Sequence, residues 1–423
     1  MVETMPARHS EMPNETAHEG AKFRLAAILS LALVLRLTLV GMQLRNTSAA
    51  AFFGMATDLG SLSRSVALGH GLSSPFGGST GASAFLAPGY PVLIGTIFRI
   101  FGIDSRNAEI FVMLMQAAFC VAAIALLMLT ARRLFDAATA NLAGIVCAVS
   151  PPILWLPVLF WETSLSTLLL CAMLYLTLLA AAPRRNIAAW LGMGACAGIA
   201  LLVNPSLLTL IACCFAWATY RTARISFAGP VAGALLCLLL FTPWPVRNLR
   251  TMHAFIPLRT NLGYELWQGN RPGADGFFEP NLHPSVDAVQ FQEYSMLGEI
   301  GYMRRKSELS KAAIRAEPAR FLRLTLKRFA SFWTGIDKKT SYLLIVYICL
   351  TSLLGFSGLY LSRRRSGFTL LLAILALFPL PYYVTHPDGR FRLVLDPILT
   401  MLTAYAVTCW RRRTAKLASV TCE

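Results

Sequence analysis

Asp58, Arg247, Arg390 and Arg392 are the residues of this 423-residue chain whose types and placement suit group-transfer chemistry. Asp58 is the first acid after the first long apolar run, and it opens an amphipathic stretch, Asp58 to Gly69. A carboxylate there can take a proton from an acceptor hydroxyl or amine. It suits equally well a first-turn acid stabilised by a helix N-terminus. Arg247, Arg390 and Arg392 fall at the ends of three later runs. Guanidinium forks match phosphate oxygens in bidentate geometry, and the same residues also serve as interfacial anchors with their stems in lipid. Glu162 follows Phe160-Trp161 at the start of another run. It can orient a sugar or an arginine, or stabilise its own helix N-terminus. Arg36 lies inside the first run, where a charge usually faces the protein interior. Pairing with Glu162, a headgroup or a substrate phosphate fits it, and so does snorkelling outward. Trp244, Trp267 and Trp333 can stack on a sugar, yet Trp also populates membrane interfaces with no ligand.

The elements that must position these residues are membrane helices. The chain is 56% hydrophobic and 14% charged, against about 25% charged in soluble proteins. Apolar runs approaching the ~20 residues of a crossing recur at 24–43, 108–130, 139–157, 160–181, 187–203, 205–220, 227–243, 342–361, 367–384 and 393–410. Short basic connections follow the even-numbered runs: Arg132-Arg133, Arg184-Arg185, Arg221 to Arg224, Arg363 to Arg365, and Arg411 to Arg413 with Lys416. Such loops stay cytoplasmic, which places both long polar segments on the other face. The expected architecture is an all-α integral membrane protein of about ten transmembrane helices. Its expected parts are a cytoplasmic tail 1–23, a transmembrane body 24–410 and a cytoplasmic tail 411–423. Within the body lie two extracytoplasmic loops, 44–107 and 244–341, containing amphipathic juxtamembrane helices. The second loop closes on a basic helix, Arg304 to Phe332, that alternates Arg/Lys with Phe/Leu and suits the headgroup layer. The apolar segment Tyr90 to Ile103 is short and reads as re-entrant or as a partial crossing. Asn204-Pro205 marks a hairpin apex, because a residue before proline avoids helical geometry.

Several function classes drop out. The net charge of +17 is partly that of the basic loops. The remainder clusters at 304–339, which points to anionic lipid rather than nucleic acid. Nine of the ten cysteines lie in apolar runs, where Cys behaves as a small hydrophobe, so neither a disulfide framework nor a metal spacing is expected. The first apolar run is longer than a cleaved signal core. No Walker loop, dinucleotide fingerprint or Asp-x-Asp pair occurs, so a soluble nucleotide sugar is not the expected donor.

In order along the chain come Asp58, then Pro88-Gly89-Tyr90-Pro91 with Phe101-Gly102, Pro151-Pro152, Glu162, and Pro243-Trp244 with Arg247-Asn248. Asn261-Leu262-Gly263 with Gly269-Asn270 and Arg390-Phe391-Arg392 follow. This order resembles the polytopic C-type glycosyltransferases of glycosyltransferase family 39 and the dolichyl-phosphate-mannose protein mannosyltransferase group, particularly bacterial RgtA/B/C/D-like members. The resemblance implies sugar transfer from a polyprenyl phosphate to a lipid, glycan or protein acceptor at the outer face of the cell (inner) membrane, with inversion. It implies Asp58 as general base, with Arg247, Arg390, Arg392, Glu162, Arg36 and Tyr90 around the lipid phosphate and sugar. No cofactor is obligatory on this reading, no protein ligand set for a metal is expected, and a divalent cation is admissible. The chain has Asp58-Leu59 where the mannosyltransferases carry Asp-Glu, and no lysine in Ala84 to Ala87, where aminoarabinose transferases carry one. Both departures speak against those two specific activities. The alternative class is a lipid or solute transporter. It would place charges along a midplane pathway, whereas runs two to seven are nearly free of charge.

Overall fold

The computed structural model describes residues 22–182, 186–222, 226–337 and 340–420. Most of the tail 1–23, the basic pair Arg184-Arg185, Arg224, Lys338, Lys339 and the last three residues lie outside the described residues, as does the side chain of Lys416. The described residues are helical throughout, with no strand beyond one isolated bridge between Ser73 and Ala82. Each expected crossing coincides with a helix or a broken pair of helices. Five are long and apolar enough to cross a bilayer: Leu25–Asn46, Arg106–Leu134, Thr163–Ala180, Ala228–Met252 and Tyr342–Leu361. A sixth is the pair Ala137–Val149 and Pro151–Val158, bent by 64°. Other runs are shorter because proline interrupts them: Ile187–Val203 stops before Asn204-Pro205, and Phe368–Leu377 before Pro379. The protein is an integral, multi-pass membrane protein.

Local sequence explains the helix ends. Ser105 caps Arg106–Leu134 by accepting a bond from Ala108 N, with Glu109 in the first turn and Arg132 and Arg133 in the last, which matches the helix dipole at both ends. Asp136 caps the next helix through Thr139 N. At the expected apex, Asn204 accepts from Ser206 N and donates to Ser166 Oγ at 3.2 Å. The basic ends meet on one side: Arg132 stacks on Phe23, Arg412 pairs with Asp136 at 2.9 Å, and Asn141 bonds the backbone of residues 22 and 24.

On the opposite side the two long segments fold over the spans. Helix Gly89–Phe101 has 13 residues, about 20 Å at 1.5 Å per residue, which is too short for a ~30 Å core. Its buried face (Tyr90, Ile94, Ile97, Phe98) packs on helix Thr57–Ala67, Asp58's own helix, and Phe52, Phe53 and Phe160 complete that cluster. Each fully buried Phe contributes roughly 1.5–3 kcal/mol, which anchors the first segment to the bundle. A second aromatic cluster joins Phe76 and Phe85 to Tyr264, Trp267, Tyr294 and Tyr302, tying the first segment to the second.

The basic region departs from expectation. It forms two helices, Ala288–Ala316 and Pro318–Thr334, separated at Glu317 because Pro318 follows. In the second, Arg320 and Arg328 turn toward the protein, while Leu322, Leu326 and Phe329 are exposed. Three of its cations, Arg320, Lys327 and Arg328, bond backbone carbonyls.

Candidate active site

A cavity of about 680 Å³ lies between the two long segments and the adjoining helix ends. Its polar lining residues include Asp58, Glu265, His283, His386, Asp388 and Arg390. Its apolar lining residues include Pro152, Trp155, Leu159, Phe332, Leu344 and Ile348. Arg392 and Asp396 line it beside Ile348.

Asp58 occupies the first turn of Thr57–Ala67. It is 8% exposed and its Oδ1 accepts from Leu59 N at 2.8 Å. Arg390 lies with its guanidinium 3.6 Å above the centre of the Trp161 ring, and its Nε is 3.2 Å from Asp388 Oδ2. Burial alone would depress this guanidinium. The charges of Asp388, Glu162, Asp58 and Glu265 outweigh it and hold the pKa above its ordinary value. Glu162 stands at the N-cap of Thr163–Ala180 and acts on Arg390 from there through charge.

Glu265, in helix Leu262–Asn270, accepts from Asn261 Nδ2 at 2.7 Å and lies 2.6 Å from His386 Nε2. Burial would raise its carboxyl. The bond from His386 and the charges of His386, Arg259 and Arg390 hold it below the usual range instead. Burial pushes His283 down, partly offset by Asp58 and Glu265. Arg392 pairs with Asp396 at 3.0 Å and donates to Thr351 Oγ1 and Ser352 Oγ at 3.2 and 3.0 Å.

The structure thus brings Asp58, Arg390 and Arg392 to one cavity, with Glu162 acting from its margin. It places three other candidates elsewhere. Arg247 donates to Leu72 O and Ser83 O, both at 2.8 Å, and so pins the Gly/Ser-rich turn region. Tyr90 is buried and donates to Gln116 Oε1 at 3.0 Å, inside a network with Pro157 O and Ser164. Arg36 is fully buried and reaches Ala148 O and Cys147 O at the end of helix Ala137–Val149. There it satisfies carbonyls that the break at Pro151 frees.

Glu265, His283, His386 and Trp161 join the site without having been singled out from sequence. His386 and Asp388 belong to the loop ending in Arg390-Phe391-Arg392, and Glu265 follows Asn261-Leu262-Gly263. These motifs were the only signal for them, since pairing across 121 residues leaves no local trace.

Residues 86–246 match the family model described as dolichyl-phosphate-mannose-protein mannosyltransferase. A comparison with curated protein sequences finds no match. Among solved structures, the chain is similar to the oligosaccharyltransferase of Archaeoglobus fulgidus tethered with an acceptor peptide. The TM-score is 0.52 at 14% identity over 92% of this chain and 50% of that one. The apo form of the same enzyme gives 0.51 at 15% identity, over 95% and 52%. The chain spans about half the length of those structures. The chain therefore shares the fold of that oligosaccharyltransferase.

Proposed function

We propose that this protein is a membrane glycosyltransferase that moves a sugar from a polyprenyl phosphate to a lipid, glycan or protein acceptor at the extracytoplasmic face of the cell (inner) membrane. The observation that carries this reading is the mixed lining of one cavity: a carboxylate and guanidinium groups together with lipid-compatible side chains. A prenyl chain lies along the apolar lining, and its phosphate meets Arg390 and Arg392. Asp58 takes the proton of the acceptor O–H or N–H as that atom bonds to the anomeric carbon. The bond from that carbon to the phosphate oxygen breaks, its electron pair leaves with the lipid phosphate, and attack from the opposite face inverts the centre. Glu162 and Asp388 keep Arg390 charged and oriented. The family match over residues 86–246 supports the same chemistry. The outward position of the cavity rests on the basic ends gathering on the other side.

None of these steps requires a metal, and titrating transfer against chelator and divalent cations checks that. The main test incubates membranes carrying the protein with a panel of labelled polyprenyl-phosphate sugars. Asp58→Asn is expected to slow transfer by about 10²–10⁴-fold, as for loss of a general base. Transfer by Asp58→Asn at the wild-type rate removes Asp58 from that role. No transfer from any lipid-phosphate sugar removes the reading.

A further inference from the structure

His386 has a feature that the proposed transfer leaves unused. Its side chain is buried and lines the cavity, and its Nε2 is committed to Glu265 at 2.6 Å. Its Nδ1 is fully buried and has no hydrogen-bond partner among the described residues. A buried imidazole nitrogen left unpaired costs free energy unless a ligand completes it. Phe278 and Phe391 flank the ring at 5.2 and 5.9 Å between centroids, so its orientation is fixed.

Charge identifies the ligand. The lining includes the carboxyl groups of Asp58, Glu265, Asp388 and Asp396 against two guanidinium groups. Both guanidinium groups already face carboxylates, Arg390 at 3.2 Å from Asp388 and Arg392 at 3.0 Å from Asp396. A phosphodiester carries one negative charge, and breaking the bond to sugar gives the departing phosphate a second. The paired arginines leave that second charge largely unanswered.

We infer that His386, oriented by Glu265, is a further catalytic residue that donates a proton from Nδ1 to the departing phosphate oxygen. This rests on the lipid-phosphate reading above. As the bond from the anomeric carbon to phosphate oxygen breaks, its electron pair stays on that oxygen and takes the Nδ1 proton. The lipid phosphate leaves as a monoanion and the imidazole is left neutral, with the Nε2 proton held by Glu265. The acceptor's proton resides on Asp58, and solvent restores both groups. Glu265, 2.6 Å from Nε2, leaves Nδ1 as the nitrogen that meets phosphate, the orienting role a carboxylate plays toward histidine in other acid–base pairs. The charged and titratable groups acting on this dyad are Glu265, Arg259, Arg390 and, through Glu265 and Arg390, His283, Asp58, Asp388 and Glu162.

The test uses the full chain in lipid nanodiscs with decaprenyl methyl phosphate, a diester that stays singly charged from pH 5 to 9. Binding by the wild type is expected to weaken about tenfold between pH 5 and 9 as the charge-assisted bond is lost. His386→Gln should bind weakly with a flat profile, and Glu265→Gln should bind weakly while keeping part of the slope. Because His386→Gln also disturbs packing, ¹⁵N-labelled histidine in the wild type gives a second readout: the His386 Nδ1 resonance moves when the diester is added. Matching pH profiles for wild type and His386→Gln, with an unmoved resonance, overturn the proton-donor role and leave the glycosyltransferase reading standing. A wild type that fails to bind the diester at any pH overturns both.

Discussion

Arg328 offers the sharpest test of how the cavity is held together. Its fully buried guanidinium donates from Nε to Gly276 O at 3.1 Å and from Nη1 to Tyr383 O and Val384 O, both at 3.2 Å. Its Nη2 donates to Asn270 Oδ1 at 3.0 Å and to Gly269 O. One side chain thus joins the end of helix Leu262–Asn270, which carries Glu265, to the segment entering His386. Arg328→Met keeps most of the stem and removes every donor. Val384 O retains a bond from Asn270 Nδ2 at 2.9 Å, which leaves Asn270 Oδ1 and the carbonyls of Gly269, Gly276 and Tyr383 to lose their Arg328 bonds. Each buried group left unpaired costs about 1–3 kcal/mol. Neighbouring losses do not add fully, so the expected cost is about 3–5 kcal/mol. Local opening should then raise amide exchange over residues 262–276 and 380–390 by about 10²–10⁴-fold, at 1.36 kcal/mol per decade. Hydrogen exchange read by mass spectrometry in nanodiscs measures this, with Arg328→Lys falling between. Exchange in Arg328→Met within threefold of the wild type would refute the clamp.

Further outcomes follow from the same contacts. Gly269 sits so close to Thr385 O that an added Cβ would collide with backbone; Gly269→Ala should lower the unfolding temperature and, by separating Glu265 from His386, reduce transfer in the membrane assay. Glu265 has a folded pKa below its ordinary 4.5, so its stabilisation is present above that value and is lost as pH falls through the depressed one. Melting followed from pH 6 to 3 should show this acid loss in the wild type, and Glu265→Gln should lack that component. Arg247→Ala should speed proteolysis of the 70–84 region, whose carbonyls it holds, while binding of the lipid diester stays within about threefold of the wild type.

Sequence by itself determined the membrane class, the placement of the apolar helices, the side on which basic ends gather, and the motif order that resembles C-type glycosyltransferases. These are local properties: apolar run length, proline position and loop charge act within a few residues, and each expected run coincides with a helix or a broken pair. Tertiary structure alone decided which polar groups meet. Arg247 and Arg390 looked alike as span-end arginines, yet one bonds loop carbonyls and the other stacks on Trp161 in the cavity. Arg36 read as a charge in need of a partner, and only the bend at Pro151 supplied carbonyls for it. Arg320 and Arg328 looked ready for headgroups, yet they turn inward because the loop 269–276 presents unpaired backbone there. The pairing of Glu265 with His386 joins residues 121 apart. No periodicity encodes it, because it arises from two segments packing over one bundle end.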